Sequence, residues 1–206
     1  MRVIAGAFKG RALAGPRWAG LRPTSDRLRE TLFNIIGERV RGARVLDVYA
    51  GTGALGIEAL SRGAAFVAFV ERDPRALALI GENLRGCGVA EGYAMIRAVG
   101  QLRRRFGGQP AFDLILVDPP YDEPNLVAAV GRVSGWLTAE GLLVLEHARR
   151  HVPPAAVADL ARTRAVQSGD SALAFYRRAP QPAAGSGAAR RAPDGDPAAL
   201  RRSTDD

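Results

Sequence analysis

Leu114-Ile115-Leu116-Val117 is apolar at every position, and Asp118-Pro119-Pro120-Tyr121 cuts it off. Successive strand side chains point to opposite faces, so such a run needs cover on both sides. Val45-Leu46-Asp47-Val48-Tyr49 and Phe66 to Val70 have the same character. Helical patterns alternate with them. Ala54 to Arg62 carries Leu55, Ala59 and Leu60 on one side, and Asp73-Pro74 caps a helix with Leu77, Ile80 and Leu84 at helical spacing. Further along, Tyr93 to Ile96 reads as a strand, Asn125 to Leu137 as a helix, Leu142 to Leu145 as a strand and Pro153 to Arg162 as a helix. Two last strands, Arg164 to Gln167 and Ala172 to Tyr176, flank the hairpin-type turn Ser168-Gly169-Asp170-Ser171. This alternation predicts an α/β fold: a doubly wound, mainly parallel seven-stranded sheet with an antiparallel edge strand.

A chain of 206 residues is long enough to bury such a core without staples. Several classes fall away quickly. No apolar run approaches the ~18 residues of a membrane span, and the opening Met1 to Lys9 stretch is too short to be a signal peptide. A single cysteine, Cys87, forms no internal disulfide, and with two histidines it is too sparse a set for structural zinc. A cytoplasmic protein with no metal and no membrane contact is expected, and nothing in the chain demands more than a monomer.

Charge gives the first positive clue. The net charge is +8, and residues 1–43 hold nine basic residues against three acids. A basic N-terminal arm over 1–43 fits contact with a polyanion. Within it, Ser25 to Gly37 reads as a helix capped by Ser25 or Thr24, with Leu28, Leu32, Ile35 and Ile36 as its apolar stripe. The catalytic domain follows over 44–178. Residues 179–206 have no aromatic and one large aliphatic, Leu200, and read as a disordered tail.

In open α/β sheets, ligands bind beyond the carboxyl ends of the strands. The polar residues there are Asp47, the turn Gly51-Thr52-Gly53, Glu71 and Asp118-Pro119-Pro120-Tyr121. Gly51 to Gly56 matches the G-x-G-x-x-G fingerprint, and Glu71 is placed to accept hydrogen bonds from a ribose diol. Taken alone, those features support a nicotinamide or flavin enzyme, and a plain tight turn would use the same glycines. Asp47 tells against a pyrophosphate there and favours the ammonium of an amino-acid-bearing nucleoside. The Asp-Pro-Pro-Tyr segment suits an exocyclic amine attacking an electrophile. Such an amine has its lone pair delocalised into the base. Acceptors from the Asp118 carboxylate and the Pro119 carbonyl draw the nitrogen toward tetrahedral geometry, and Tyr121 offers a stacking face.

The combination of Asp47-Val48-Tyr49-Ala50-Gly51-Thr52-Gly53, an acid after the second strand and Asp118-Pro119-Pro120-Tyr121 resembles the class I S-adenosylmethionine-dependent methyltransferases acting on base amino groups. Gly20 to Asn34 is similar to the N-terminal signature of the RsmD family, and Ala50 to Ala64 continues the match; the similarity spans residues 2 to about 178. It implies a Rossmann-like methyltransferase acting on the exocyclic N2 of one guanine in bacterial 16S ribosomal RNA, within a 30S subunit or assembly intermediate. Carried over, it sets S-adenosyl-L-methionine, the methyl donor, against Asp47, Gly51, Gly53 and Glu71. The reacting guanine falls to Asp118, Pro119 and Tyr121, and Thr24, Arg27 and Pro120 to the substrate side. Where many relatives carry Asp or Asn for the adenine amino group, this chain reads Ile96-Arg97-Ala98-Val99. Backbone and apolar contacts are expected there instead.

Three other readings use the same residues. Asp-Pro-Pro-Tyr also serves adenine N6 methylation on DNA or RNA, although a chain this short has no spare target-recognition domain. A nicotinamide-dependent oxidoreductase would use the glycine turn and Glu71 and leave Asp118 to Tyr121 without a role. An RNA-binding module without catalysis would leave both motifs idle. Glu146 and His147 read as a polar strand end, Arg103-Arg104-Arg105 as a solvated helix face, and Cys87 as a filler.

Overall fold

The computed structural model describes residues 1–18, 25–108, 111–120, 123 and 125–179. In chain order the elements are α1 (Asp26–Ile36), β1 (Arg44–Val48), α2 (Ala54–Ser61), β2 (Phe66–Val70), α3 (Pro74–Gly86), β3 (Tyr93–Ile96), α4 (Leu102–Phe106), β4 (Phe112–Val117), α5 (Leu126–Ser134), β5 (Leu137–Ala148), β6 (Ala156–Val157), β7 (Leu160–Ser168) and β8 (Ser171–Arg178). Helix starts follow local chemistry. The Ser25 hydroxyl accepts from Leu28 N–H at 3.2 Å, the Asp73 carboxylate from Arg75 N–H at 2.8 Å, and the Asn125 side chain from Ala128 N–H at 2.9 Å.

One sheet has the order β3-β2-β1-β4-β5-β8-β7-β6. Strands β1 to β5 are parallel, while β8 runs antiparallel to both β5 and β7. Strand order reverses between β1 and β4, which opens the crevice at their carboxyl ends. Two apolar clusters cover the sheet faces. Val45, Ile57, Phe69, Leu116, Val144 and Phe175 belong to one, together with Val3 and Leu13 of the N-terminal segment and Leu32 of α1. Leu46, Ile115, Val130, Leu143 and Tyr176 belong to the other.

Expectation and structure part in three places. Among the described residues the sheet has eight strands rather than seven, and the antiparallel β8 lies inside it rather than at its edge. No helix spans Pro153 to Arg162; β6, a turn with Ala158 at φ 52°, and the start of β7 occupy that stretch. Its alanines favour helix, but propensity is a weak term that tertiary context overrides, and pairing with the open side of β8 wins. The helix expected to reach Leu137 stops at Ser134, because Leu137 already pairs with Phe112 as the first residue of β5.

The N-terminal segment is bound tightly to the domain. Arg2 and Ala12 bridge in antiparallel fashion. The fully buried Glu58 accepts from Ile4 N–H at 2.8 Å, Ala5 N–H at 3.0 Å and Arg62 Nε at 2.8 Å. Arg29, also fully buried, lies 4.0 Å from Glu58 and 2.9 Å from Asp26, and burial lowers its pKa. Of residues 179–206, expected as a disordered tail, Ala179 donates its N–H to Asp159 C=O at 3.0 Å, and 180–206 lie outside the described residues.

Candidate active site

Four acids lie near the crevice ends of four neighbouring parallel strands, on one side of the sheet. Phe69, Val45, Leu116 and Val144 all face the cluster under α1 and α2. Glu71, Asp47, Asp118 and Glu146 each come two residues later, so the strand period directs them to that same side. The Asp47 carboxyl feels both Asp118 and Glu71 electrostatically. Glu146 is 6% exposed, so the polar strand end that the sequence offers is in fact a buried carboxylate in this row.

Asp47 is the most constrained of them. Its Oδ2 accepts from Gly56 N–H at 2.9 Å, while Oδ1 is buried without a hydrogen-bond partner. Burial, reinforced by Asp118 and Glu71, pushes its carboxyl well above the ordinary carboxylate range. An orphaned buried oxygen beside other acids is the right complement for an ammonium group. The same geometry disfavours a dinucleotide: Asp47 already occupies a first-turn N–H of α2 that a pyrophosphate would use.

The turn between β1 and α2 is built by its glycines. Gly51 has φ 56° and Gly53 φ 78°, and Gly53 N–H donates to Ala50 C=O at 2.7 Å. At Gly56 a Cβ would sit 2.2 Å from Phe69 Cε1, so this glycine sets the close approach of α2 to β2. Glu71 spans the mouth: Oε2 accepts from Gly51 N–H at 3.0 Å and Oε1 from Asp73 N–H at 2.9 Å. Those bonds aim the carboxylate while each oxygen keeps a lone pair for a ligand hydroxyl.

On the other side, Asp118 N–H donates to Val48 C=O at 3.2 Å, which continues the β4–β1 ladder past the strand end. Asp118 is half-buried, Pro119 buried and Pro120 exposed. Pro120 C=O accepts from Glu123 N–H at 2.9 Å. Tyr121 and Thr24 lie outside the described residues. Arg27 is exposed in the first turn of α1. The structure therefore brings Asp47, Gly51, Gly53, Glu71 and Asp118 together, flanked by Pro119 and Pro120. At the end of β3, where backbone contacts are expected, the Gln101 side chain folds back onto Arg97 N–H at 3.2 Å and adds a polar group.

Two features were missed by reasoning from sequence. Tyr49 adopts φ 62°, a strained conformation for a residue with a side chain, and its hydroxyl lies 3.5 Å from Glu123 Oε2. Burial and the Glu123 carboxylate raise its pKa. It joins the end of β1 to Glu123. Asn83 is 3% exposed. Its Oδ1 accepts from Ala14 N–H at 2.7 Å, and its Nδ2 donates to Ala14 C=O at 3.1 Å and Thr52 C=O at 3.0 Å. Thus the N-terminal segment and the glycine turn share one side chain. The available signal was a polar residue on the buried side of an apolar helix. Asn83→Leu leaves these groups unmatched at about 1–3 kcal/mol each. Thermal melts should show a lower midpoint, and calorimetry a weaker affinity for S-adenosylhomocysteine.

Comparison with known proteins assigns a family. A family model described as "Conserved hypothetical protein 95" matches residues 1–177. A candidate rRNA methyltransferase of Bacillus subtilis, YlbH, is 37% identical over 182 residues, 86% of this chain and 99% of the relative. "Ribosomal RNA small subunit methyltransferase D" of Escherichia coli K12 is 35% identical over 186 residues, 88% of this chain and 91% of the relative. The solved structure of a candidate methyltransferase from Escherichia coli, yhhF, superposes with a TM-score of 0.74 at 33% identity, covering 88% of this chain and 99% of that one. The match takes in the glycine turn, the Asp-Pro-Pro segment and the N-terminal residues alike, and the chain belongs to the RsmD family of methyltransferases.

Proposed function

We propose that this rRNA methyltransferase transfers the methyl group of S-adenosylmethionine to the exocyclic N2 of a guanine in bacterial 16S ribosomal RNA. The observation that supports this best is the row of carboxylates around the switch point, with Asp47 carrying an orphaned oxygen and Asp118 half-open at the mouth. Such a floor suits a cationic donor on one side and an N–H-rich base edge on the other.

When bound, S-adenosylmethionine supplies an electrophilic methyl on a positively charged sulfur. In this reading Asp47 accepts from its ammonium, Glu71 from its ribose hydroxyls, and Gly51 and Gly53 let the turn backbone approach closely. The Asp118 carboxylate and the Pro119 carbonyl accept the two N–H groups of the guanine amine. They hold its nitrogen in line, and Asp118 is placed to take the proton the nitrogen sheds as the new N–C bond forms. Tyr121 stacks on the base, while Thr24, Pro120 and Arg27 flank it. Residues 1–43 serve as an RNA-gripping arm on the catalytic domain of residues 44–178, and the arm's arginines meet phosphates around a base turned out of its stack. The enzyme works as a cytoplasmic monomer on the 30S subunit or an assembly intermediate. No helix among the described residues is long and apolar enough to cross a membrane.

Substrate in which the target guanine is replaced by inosine tests the atom assignment. Inosine keeps the shape but lacks the N2 amine, so transfer should vanish while competition against native substrate persists. Methylation of the inosine-bearing RNA at the native rate would contradict N2 as the acceptor.

A further inference from the structure

We propose that Arg149 and Arg150, at the crest of the β5–β8 ladder, form a phosphate-binding patch that grips the RNA on the β5 side of the crevice, separate from the N-terminal arm. This rests on the reading that the substrate is RNA.

The acidic floor creates the requirement. Asp47, Glu71, Asp118 and Glu146 repel phosphate, so an inserted base needs its flanking phosphates held by cations on the rim. On the α2–α3 side the arm is anchored through Glu58, Ser61 and Asn83. The other side is a wall. Leu145 pairs with Val117 at the end of β4, yet β5 continues to Ala148. That overhang lifts the crest about 10 Å beyond the last strand residue of β4.

The crest is firmly built. Glu146, His147 and Ala148 pair with Leu173, Ala172 and Ser171. Arg149 N–H donates to Asp170 C=O at 2.8 Å, and His151 N–H to Ala148 C=O at 2.9 Å. A fixed backbone presents both arginines, so that only their side-chain rotamers remain to be ordered on binding.

Their charge is also uncommitted. Arg29, Arg41, Arg62, Arg75 and Arg178 each form an ion pair with a carboxylate. Arg149 and Arg150 are exposed and have no such pair among the described residues; Arg150 Nε lies 3.4 Å from His151 Nε2. The exposed Asp170 in the facing turn offsets part of this charge. Guanidinium groups free of carboxylates on a rigid rim match phosphate geometry.

The test uses the full-length Arg149→Ala/Arg150→Ala variant in methyl transfer to 30S particles and to protein-free small-subunit rRNA across a KCl series. The expected result, on both substrates, is a KM for RNA raised ~10-fold near physiological salt, with kcat and S-adenosylhomocysteine affinity unchanged. The plot of log kcat/KM against log salt should flatten by about 1 to 2, the signature of one or two lost phosphate contacts. Arg149→Lys/Arg150→Lys should restore most of that slope. Wild-type KM and slope in the alanine variant would overturn the proposal. So would a defect confined to 30S particles, which would assign the patch to a protein component. Failure of the wild-type enzyme to methylate either RNA would instead overturn the substrate reading.

Discussion

Replacing Asp118 with alanine is expected to lower kcat for methyl transfer by about 100-fold to 1,000-fold while leaving the fold and the affinity for S-adenosylhomocysteine intact. The guanine amine is a poor nucleophile because its lone pair is shared with the ring. Its nitrogen gains positive charge as the bond to the methyl forms, so a carboxylate touching its N–H strengthens toward the transition state. That gain appears in kcat rather than in KM. Asp118 is half-buried and follows a strand whose ladder is made by backbone groups, so its side chain can be removed without collapsing β4. Asparagine at 118 keeps an acceptor but loses the charge, and an intermediate rate is expected. Single-turnover rates with saturating RNA, alongside calorimetric binding of S-adenosylhomocysteine, check both halves. Wild-type turnover in the folded alanine variant would contradict the assigned role.

Asp47→Asn should have the second largest effect, in opposite directions on binding and on stability. Cofactor affinity should fall at least ~100-fold, because breaking a buried charge pair typically costs 3–5 kcal/mol. The free protein should behave otherwise. Asp47 is buried with one oxygen unpartnered, and its folded-state pKa is raised by that burial, by Asp118 and by Glu71. A raised pKa means that the folded state holds the proton more tightly than the unfolded chain. Its stabilising contribution is therefore present at acid pH and is lost as pH rises from the ordinary carboxylate range through the raised value. Asparagine does not ionise and escapes that loss. Melts of the free proteins from about pH 5 to pH 8 should show the variant gaining on wild type as pH rises. Added S-adenosylmethionine should reverse the order, stabilising wild type only. A variant that loses ground with rising pH would show that Asp47 is not held against its charge.

The strands were legible because Val45, Phe69, Leu114 and Leu116 belong to runs whose apolar character dictates burial. The caps at Ser25 and Asp73 were legible because their chemistry is local. Pro153 to Arg162 misled for the complementary reason: its alanines and leucine favour helix locally, and pairing with the open side of β8 overrides them. At the site, Asp47, Glu71 and Asp118 stood out because polar groups at the ends of buried strands are costly without a purpose. Glu146 read as a polar strand end, yet it is 6% exposed within a β5 that runs on to Ala148. Asn83 left only the hint of a polar residue on a buried helix face, and its partners, like the Tyr49–Glu123 contact, could not be seen, since each joins segments 31 or more residues apart. Nothing in local pattern encodes that proximity.

Methyl transfer from labelled S-adenosylmethionine to 30S particles from cells lacking the endogenous activity, with the product nucleoside identified by mass spectrometry, is the most direct test of the proposed reaction. N2-methylguanosine at a single site in 16S rRNA is the expected result. Label recovered as N6-methyladenosine, or no transfer accompanied by tight dinucleotide binding, would contradict it.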